Sequence, residues 1–327
     1  MRTAFSRKNS FSVGSRPCVV SIQPAHRDKA AMNGAQRLEA HGDSSGLMNR
    51  PHAAPDSIFI IASEAGGNEG RLDSHYTGNM VRILRPIPVA RLKLLVFDLD
   101  GTLIDSAQDL CNSVNATLSR FGREPLADKI IAGFIGNGAM VLVRRAFAAA
   151  AGAVADEDLL AQAYTYFLDY YREHKLDYTY AYEGVLEALA ALKQLHDLAG
   201  GAGRDTALAM AVLTNKPVRP ARDICAALGL APYFLNIYGG NSFATKKPDP
   251  EGLRALMSEA GAQPEETVVI GDSQVDVETA RNGGAWCIGC TFGLAPESLS
   301  VNPPDVIVDS PADWTAALSS ASGEKGK

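Results

Sequence analysis

The chain has no run of apolar residues long enough to cross a bilayer, and its N-terminus lacks the compact apolar core of a secretory signal. These absences predict a cytoplasmic protein with no membrane partner. Basic charge is not in surplus either. With 31 Lys and Arg against 37 Asp and Glu, the formal net charge is −6, so no basic face is expected that could neutralise a nucleic-acid backbone. Cysteine is sparse. The five cysteines, at 18, 111, 225, 287 and 290, form no even-numbered framework, which suits a reducing compartment. Cys287 and Cys290 are spaced as C-x-x-C, but no second Cys/His pair accompanies them, and they lie in the apolar run from Ala285 to Cys290. Residues three apart on a strand point to opposite faces, so two small core side chains are expected there rather than a redox or zinc site.

What is present is ample for a core: 327 residues, 46% of them apolar, enough for one large domain or two smaller ones. Charge is unevenly spread. Residues 1–90 hold eleven basic and seven acidic side chains, no Trp, and no sustained helical or strand period, and disorder is expected there. The first 27 residues carry five basic residues and no acidic one, as organelle transit peptides do, yet without a clear amphipathic face. Met80 stands just ahead of the first core strand, so a start codon placed too far upstream explains the segment equally well. The patch Ile58-Phe59-Ile60-Ile61 could pair as an edge strand.

From Leu92 onward, short apolar runs end in polar clusters and are followed by segments of helical period, the pattern of βα alternation. The runs are 92–97, 207–213, 267–270, 285–288 and 306–308, with a shorter one around 234–238, and their continuous apolar character suits strands buried on both faces of a parallel sheet. The fold class expected is α/β, a Rossmann-like parallel sheet with a small α-helical domain inserted after the first strand. Residues 91–106 and 183–318 would form the sheet domain, 107–182 the helical insertion and 319–327 a flexible tail. Leu110, Val114, Leu118 and Phe121 mark one face of the first inserted helix. Gly200 to Gly203 reads as an enlarged surface loop.

Four polar clusters stand where apolar strands stop. Asp98-Leu99-Asp100-Gly101-Thr102-Leu103 places two carboxylates on one side of a strand end, where their repulsion calls for a cation or the loss of one charge. Thr214-Asn215-Lys216-Pro217 can donate to phosphate oxygens, and it reads as readily as an ordinary helix cap. Lys246-Lys247-Pro248 offers a compact positive charge, Lys247 being the better placed, or simply a solvated pair before a Pro-initiated helix. Gly271-Asp272-Ser273-Gln274-Val275-Asp276 brings another carboxylate to a strand end, and Asp272 with Asp276 could equally be a cap and a first-turn acid. Jointly the clusters are far more specific, because open α/β sheets bind ligands outside the carboxyl ends of their strands. Asp98, Asp100 and Asp272 would crowd one crevice, and such hard oxygen ligands call for Mg²⁺.

In this order the clusters resemble the haloacid dehalogenase superfamily, from Leu92 to the last strand near Val308. The resemblance implies that Asp98 is a nucleophile phosphorylated during hydrolysis and that Asp100 is a general acid and base. It further implies Mg²⁺ held by the Asp98 carboxylate, the Asp100 carbonyl and Asp272, with Thr214, Asn215 and Lys247 binding phosphoryl oxygens. Asp276 and Ser273 would support that set, Asp276 by orienting Lys247 or a metal-bound water. Asp100 argues against a dehalogenase, which needs no such acid. The run from Ile131 to Ala146 is similar to the cap segment of bacterial phosphoglycolate phosphatases. It implies 2-phosphoglycolate as substrate, with Gly136, Asn137, Gly138 and one of Arg144 and Arg145 meeting its carboxylate, although a structural turn followed by a solvated arginine pair fits the same residues equally well. Alternatives are another small substrate, a sugar phosphate or pyrophosphate, or a non-catalytic module binding a phosphate ligand. Two departures from the family pattern are Asn241, where Asp is usual after Gly-Gly, and the long Gly200 to Gly203 loop. The partner expected is a small phosphorylated metabolite.

Overall fold

The computed structural model describes residues 18–22, 58–62, 80–151, 156–199 and 208–319. The chain opens with three strands, β1 (Cys18–Ile22), β2 (Ile58–Ala62) and β3 (Met80–Ile83), and reaches the first core strand at β4 (Leu94–Phe97). A short strand, β5 (Ile104–Asp105), leads into four helices, α1 (Ala107–Arg120), α2 (Asp128–Ala132), α3 (Ala139–Ala151) and α4 (Glu157–His174). The return is by β6 (Tyr180–Ala181), followed by α5 (Val185–Ala199), β7 (Ala209–Leu213), α6 (Val218–Ala227) and β8 (Ile237–Tyr238). The chain ends with α7 (Glu251–Ala260), β9 (Thr267–Gly271), α8 (Gln274–Gly283), β10 (Trp286–Cys290), β11 (Val306–Val308) and α9 (Asp313–Ser319). Among the described residues no helix is long and apolar enough to cross a membrane.

One sheet runs in the order β1-β2-β3-β11-β10-β9-β4-β7-β8. From β11 to β8 the pairings are parallel, whereas β1, β2 and β3 add an antiparallel edge through Val306↔Ile83. The expectation of disorder over residues 1–90 is therefore corrected at 18–22, 58–62 and 80–83. Short β-branched and apolar segments can satisfy an open sheet edge even when no longer period flanks them. The 200–203 loop and most of the 319–327 tail lie outside the described residues.

Alternation along β4 builds the core. Leu95 and Phe97 join one apolar cluster with Val185, Leu189, Ile224 and Trp314, while Leu94 and Val96 join another with Leu253, Leu256, Val269 and Val277. Helices thus cover both faces, which is why the parallel strands read as unbroken apolar runs. Phe97 is fully buried against the Trp314 edge at 5.2 Å, and burial of such a side chain contributes about 1.5–3 kcal/mol. Cys287 lies in one cluster and Cys290 in the other, both buried and free, as expected for core residues.

The helices α1 to α4 pack around their own cluster, including Leu110, Val114, Leu118, Phe147 and Phe167. Their two crossings into the sheet layer are joined by the ladder Ile104↔Ala181 and Asp105↔Tyr180. Asp109, buried in the first turn of α1, reinforces that neck by accepting from the Thr179 hydroxyl at 2.7 Å and from the Tyr178 and Thr179 amides.

Candidate active site

The adjacent strands β9, β4 and β7 all release their chains on the same edge, so Asp272, Asp98 and Thr214 emerge side by side. Asp98 leaves β4 still tied to β9 through its amide on the Ile270 carbonyl at 2.8 Å. Its Oδ1 accepts from the Leu99 amide at 2.7 Å and lies 2.9 Å from Lys247 Nζ. No described residue donates to its other oxygen, Oδ2. Lys247 Nζ also reaches Asp276 Oδ1 at 2.6 Å, and the second oxygen of Asp276 accepts from the Ser273 hydroxyl at 2.7 Å and its amide at 3.2 Å. Asp272 points its Oδ2 at the Leu294 and Ala295 amides, at 2.7 and 3.1 Å, leaving Oδ1 without a donor.

Gly101 turns the chain sharply after Asp100 with φ of +85°, and a Cβ there would stand 2.2 Å from an Asp272 carboxylate oxygen. Only glycine lets the backbone and that carboxylate approach so closely. Asp100, on the near side of the turn, accepts from the Ser106 hydroxyl at 2.5 Å and pairs through both oxygens with Lys216 Nζ at 2.8 and 3.0 Å. Its backbone carbonyl accepts no hydrogen bond from the described residues. Asp98, Asp100, Thr214, Asn215 and Lys216 line a cavity roofed by Leu110, Ile135, Gly136, Gly138 and other residues of the helical layer.

Residues 95–290 match the family model described as haloacid dehalogenase-like hydrolase. The chain belongs to that family. It is 37% identical over 220 residues to a phosphoglycolate phosphatase of Pseudomonas putida, the match covering 66% of this chain and 76% of that one. A phosphoglycolate phosphatase of Vibrio vulnificus is 35% identical over 224 residues, covering 67% and 92% respectively. Among solved structures, a predicted phosphoglycolate phosphatase from Haemophilus somnus superposes with a TM-score of 0.63 at 32% identity, covering 69% of this chain and 97% of that one.

In this haloacid dehalogenase-like hydrolase the electrostatics of the strand ends are unbalanced. Burial pushes the Asp98 carboxyl up to about 7, Lys247 pulling it down while Asp276 and Asp100 push further. Burial likewise holds Asp272 well above the ordinary carboxylate value, with Asp276 and Asp98 adding to it. Burial works against the Lys247 ammonium, but Asp276 and Asp98 outweigh it and raise its pKa. Three buried carboxylates, Asp98, Asp272 and Asp276, bring ligand oxygens within 4.8 Å of one another, against a single lysine. When all are ionised, two negative charges stay uncompensated, and a hard divalent cation would balance them. The donor set fits such an ion. Asp98 Oδ2, Asp272 Oδ1 and the Asp100 carbonyl are uncommitted, whereas both oxygens of Asp276 are already engaged.

Three expectations from the sequence are corrected. The side-chain amide of Asn215 is not free for phosphate, because its Nδ2 donates to the Gly136 carbonyl at 3.0 Å and the Lys247 carbonyl at 3.1 Å, which leaves a phosphate contact of this residue to its backbone amide. Neither Arg144 nor Arg145 reaches the cavity. The inward face of α3 is taken by Leu142, Val143, Ala146 and Phe147, which turns Arg144 out to a pair with exposed Glu157 and leaves Arg145 in solvent. Gly136 and Gly138 do line the cavity, but Asn137 presents its carbonyl to Lys246 Nζ at 2.7 Å. Asn241 has a local task, accepting from the Val218 amide at 2.8 Å and so capping α6, which an Asp would do as well.

Three participants escaped sequence reading. Lys216 was visible within its cluster, but nothing in one dimension aims it at Asp100. Tyr171 shares a helical face with Phe167, the spacing of a core residue. The loop 291–295, which supplies the two amides holding Asp272, offers only Gly293 as a signal.

Proposed function

We propose that the chain is a Mg²⁺-dependent phosphomonoesterase that converts 2-phosphoglycolate to glycolate and phosphate through an aspartyl-phosphate on Asp98. The observation that carries the reading is the uncommitted Oδ2 of Asp98, a nucleophilic oxygen whose partner atom is anchored by Lys247 and the Leu99 amide. Asp98 lines the cavity between the sheet and the helical layer, and the substrate choice rests on the relatives named above.

In this reading Asp98 Oδ2 attacks phosphorus as the ester P–O bond breaks, and Asp100, which must enter this step protonated while Lys216 stays on its other oxygen, passes that proton to the departing alcohol oxygen. Asp100 then takes a proton from the water that attacks the aspartyl-phosphate, regenerating Asp98. Lys247, held by Asp276, and the Thr214 hydroxyl, which so far only accepts from the Lys216 amide at 3.1 Å, meet the phosphoryl oxygens. Bound by Asp98, Asp272 and the Asp100 carbonyl, Mg²⁺ would offset the excess negative charge and let a phosphate dianion approach a carboxylate. Residues 107–182 act as a cap over the sheet domain of 91–106 and 183–318, fastened by the Asn215 and Lys246 contacts to the 136–138 loop. Four buried free thiols favour the cytoplasm as its location.

The test is phosphate release from 2-phosphoglycolate, sugar phosphates and pyrophosphate, each with Mg²⁺ and with chelator. Preference for phosphoglycolate that vanishes with chelator supports the reading, and comparable turnover of the others moves it to another small substrate. Fluoroberyllate that forms no adduct on Asp98, with no turnover of any ester, would leave a phosphate-binding module instead.

A further inference from the structure

The end of the cavity away from Asp272 has its own chemistry. Leu110, Ile135, Leu142, Phe167 and Leu168 make most of its wall, and amid them stands Tyr171 of α4, 2% exposed. The Tyr171 hydroxyl is buried and has no hydrogen-bond partner. Lys216 Nζ sits 4.9 Å from the ring centroid, but an ammonium only donates and cannot take the phenolic proton. Burial pushes the phenol up to about 12, so it stays a neutral donor. A buried donor left unpaired costs stability, and in a ligand cavity such a group marks where an acceptor is to arrive.

We propose that Tyr171 is a specificity-determining residue whose hydroxyl donates to a carboxylate on the alcohol part of the substrate, with the Lys216 charge beside it. The inference rests on the phosphomonoesterase reading and narrows its substrate class to small phosphate esters bearing one carboxylate. Among the described residues, the other buried side-chain atom of this lining without a partner is Asn215 Oδ1, an acceptor that cannot bind an anion. A sugar phosphate would bring several hydroxyls against aliphatic walls that offer them no partner, a costly desolvation.

The experiment compares 2-phosphoglycolate with 2-hydroxyethyl phosphate, in which a hydroxymethyl group replaces the carboxylate, using the full chain and Tyr171→Phe with Mg²⁺ present. The variant is expected to lose about 10- to 100-fold in kcat/KM on phosphoglycolate, mostly through KM, as befits a buried bond to a charged acceptor. Its kcat/KM on hydroxyethyl phosphate should stay within about threefold of wild type. Equal losses on both esters, or no loss on phosphoglycolate, would overturn the assignment while leaving the phosphatase reading intact. Wild-type protein that hydrolyses neither ester would overturn both. Should Tyr171→Phe fail to fold, wild-type protein still decides. Glycolate should inhibit hydroxyethyl phosphate hydrolysis competitively where ethylene glycol does not, and equal potency of the two would overturn the proposal.

Discussion

Replacing Lys247 with Met keeps the volume of the side chain and removes its charge. Lys247 is 4% exposed and, among the described residues, is the one ammonium paired with the three carboxylates of the strand ends, with contacts of 2.9 Å to Asp98 and 2.6 Å to Asp276. Removing one partner of a buried pair costs about 3–5 kcal/mol, since the remaining charges lose their compensation. At roughly 2–4 °C per kcal/mol for a domain of this size, melting should fall by roughly 6–20 °C at pH 8 in the presence of chelator. Proton uptake limits the loss. Asp98 is already raised from 3.8 to about 7 in the folded protein, and without Lys247 it rises further. A carboxyl whose folded pKa exceeds its unfolded value contributes stability that is present below the unfolded value and lost as pH climbs through the folded one. The deficit of Lys247→Met should therefore be small near pH 5 and full at pH 8, and Asp276→Asn added to it should recover part of the loss. Thermal melts across that range provide the check. A variant within about 2 °C of wild type at pH 8, or a deficit independent of pH, would refute the charge accounting.

The same accounting predicts that wild-type protein in chelator loses stability between pH 4 and 7, and that added Mg²⁺ raises the melting temperature more at pH 8 than at pH 6, measured by calorimetry. Gly101→Ala should abolish turnover and destabilise by at least about 1–3 kcal/mol, because it combines a φ of +85° with a Cβ 2.2 Å from Asp272, and chemical denaturation would quantify it. Arg144→Ala should leave the melting temperature and the phosphoglycolate kinetics unaltered, since its exposed pair with Glu157 is the contact it loses. A rise in KM for Arg144→Ala would return that arginine to the site.

Sheet and strand ends were legible because their signals are local. A strand buried on both faces writes itself as an apolar run, and Asp98, Thr214 and Asp272 each follow one directly. Parallel neighbours then must release those residues at one edge. Side-chain aim is a different matter. Asn215 was assigned to phosphate by residue type, but its amide is consumed by two carbonyls contributed from sites far along the chain, Gly136 and Lys247. One of Arg144 and Arg145 is expected beside the substrate from resemblance to a phosphatase cap segment, yet the register of α3 turns both outward. The edge strand at 18–22 was obscured because a five-residue segment flanked by polar sequence carries too little period to stand out, whereas the apolar run at 58–61 was continuous enough to suggest an edge strand.

Two charge groups of different balance stand at the strand ends, and the difference sets an order of events. Asp100 and Lys216 form a neutral pair, so the end near Tyr171 takes a ligand without first changing its charge. Asp98, Asp272 and Asp276 with Lys247 carry two excess negative charges once ionised, and a phosphate dianion placed beside them meets net repulsion. At several ångströms and an effective dielectric near 20, each unit of like charge costs on the order of 4 kcal/mol, enough to suppress binding a thousandfold. Inorganic phosphate should accordingly show no binding heat with the chelated protein at pH 8 and measurable affinity once Mg²⁺ is added. Asp272→Asn, which lowers the excess charge by one, should bind phosphate weakly even in chelator. Equal phosphate affinity with and without the cation would mean that Lys247 and Thr214 alone suffice, and the imbalance assigned to the strand ends would have to be abandoned.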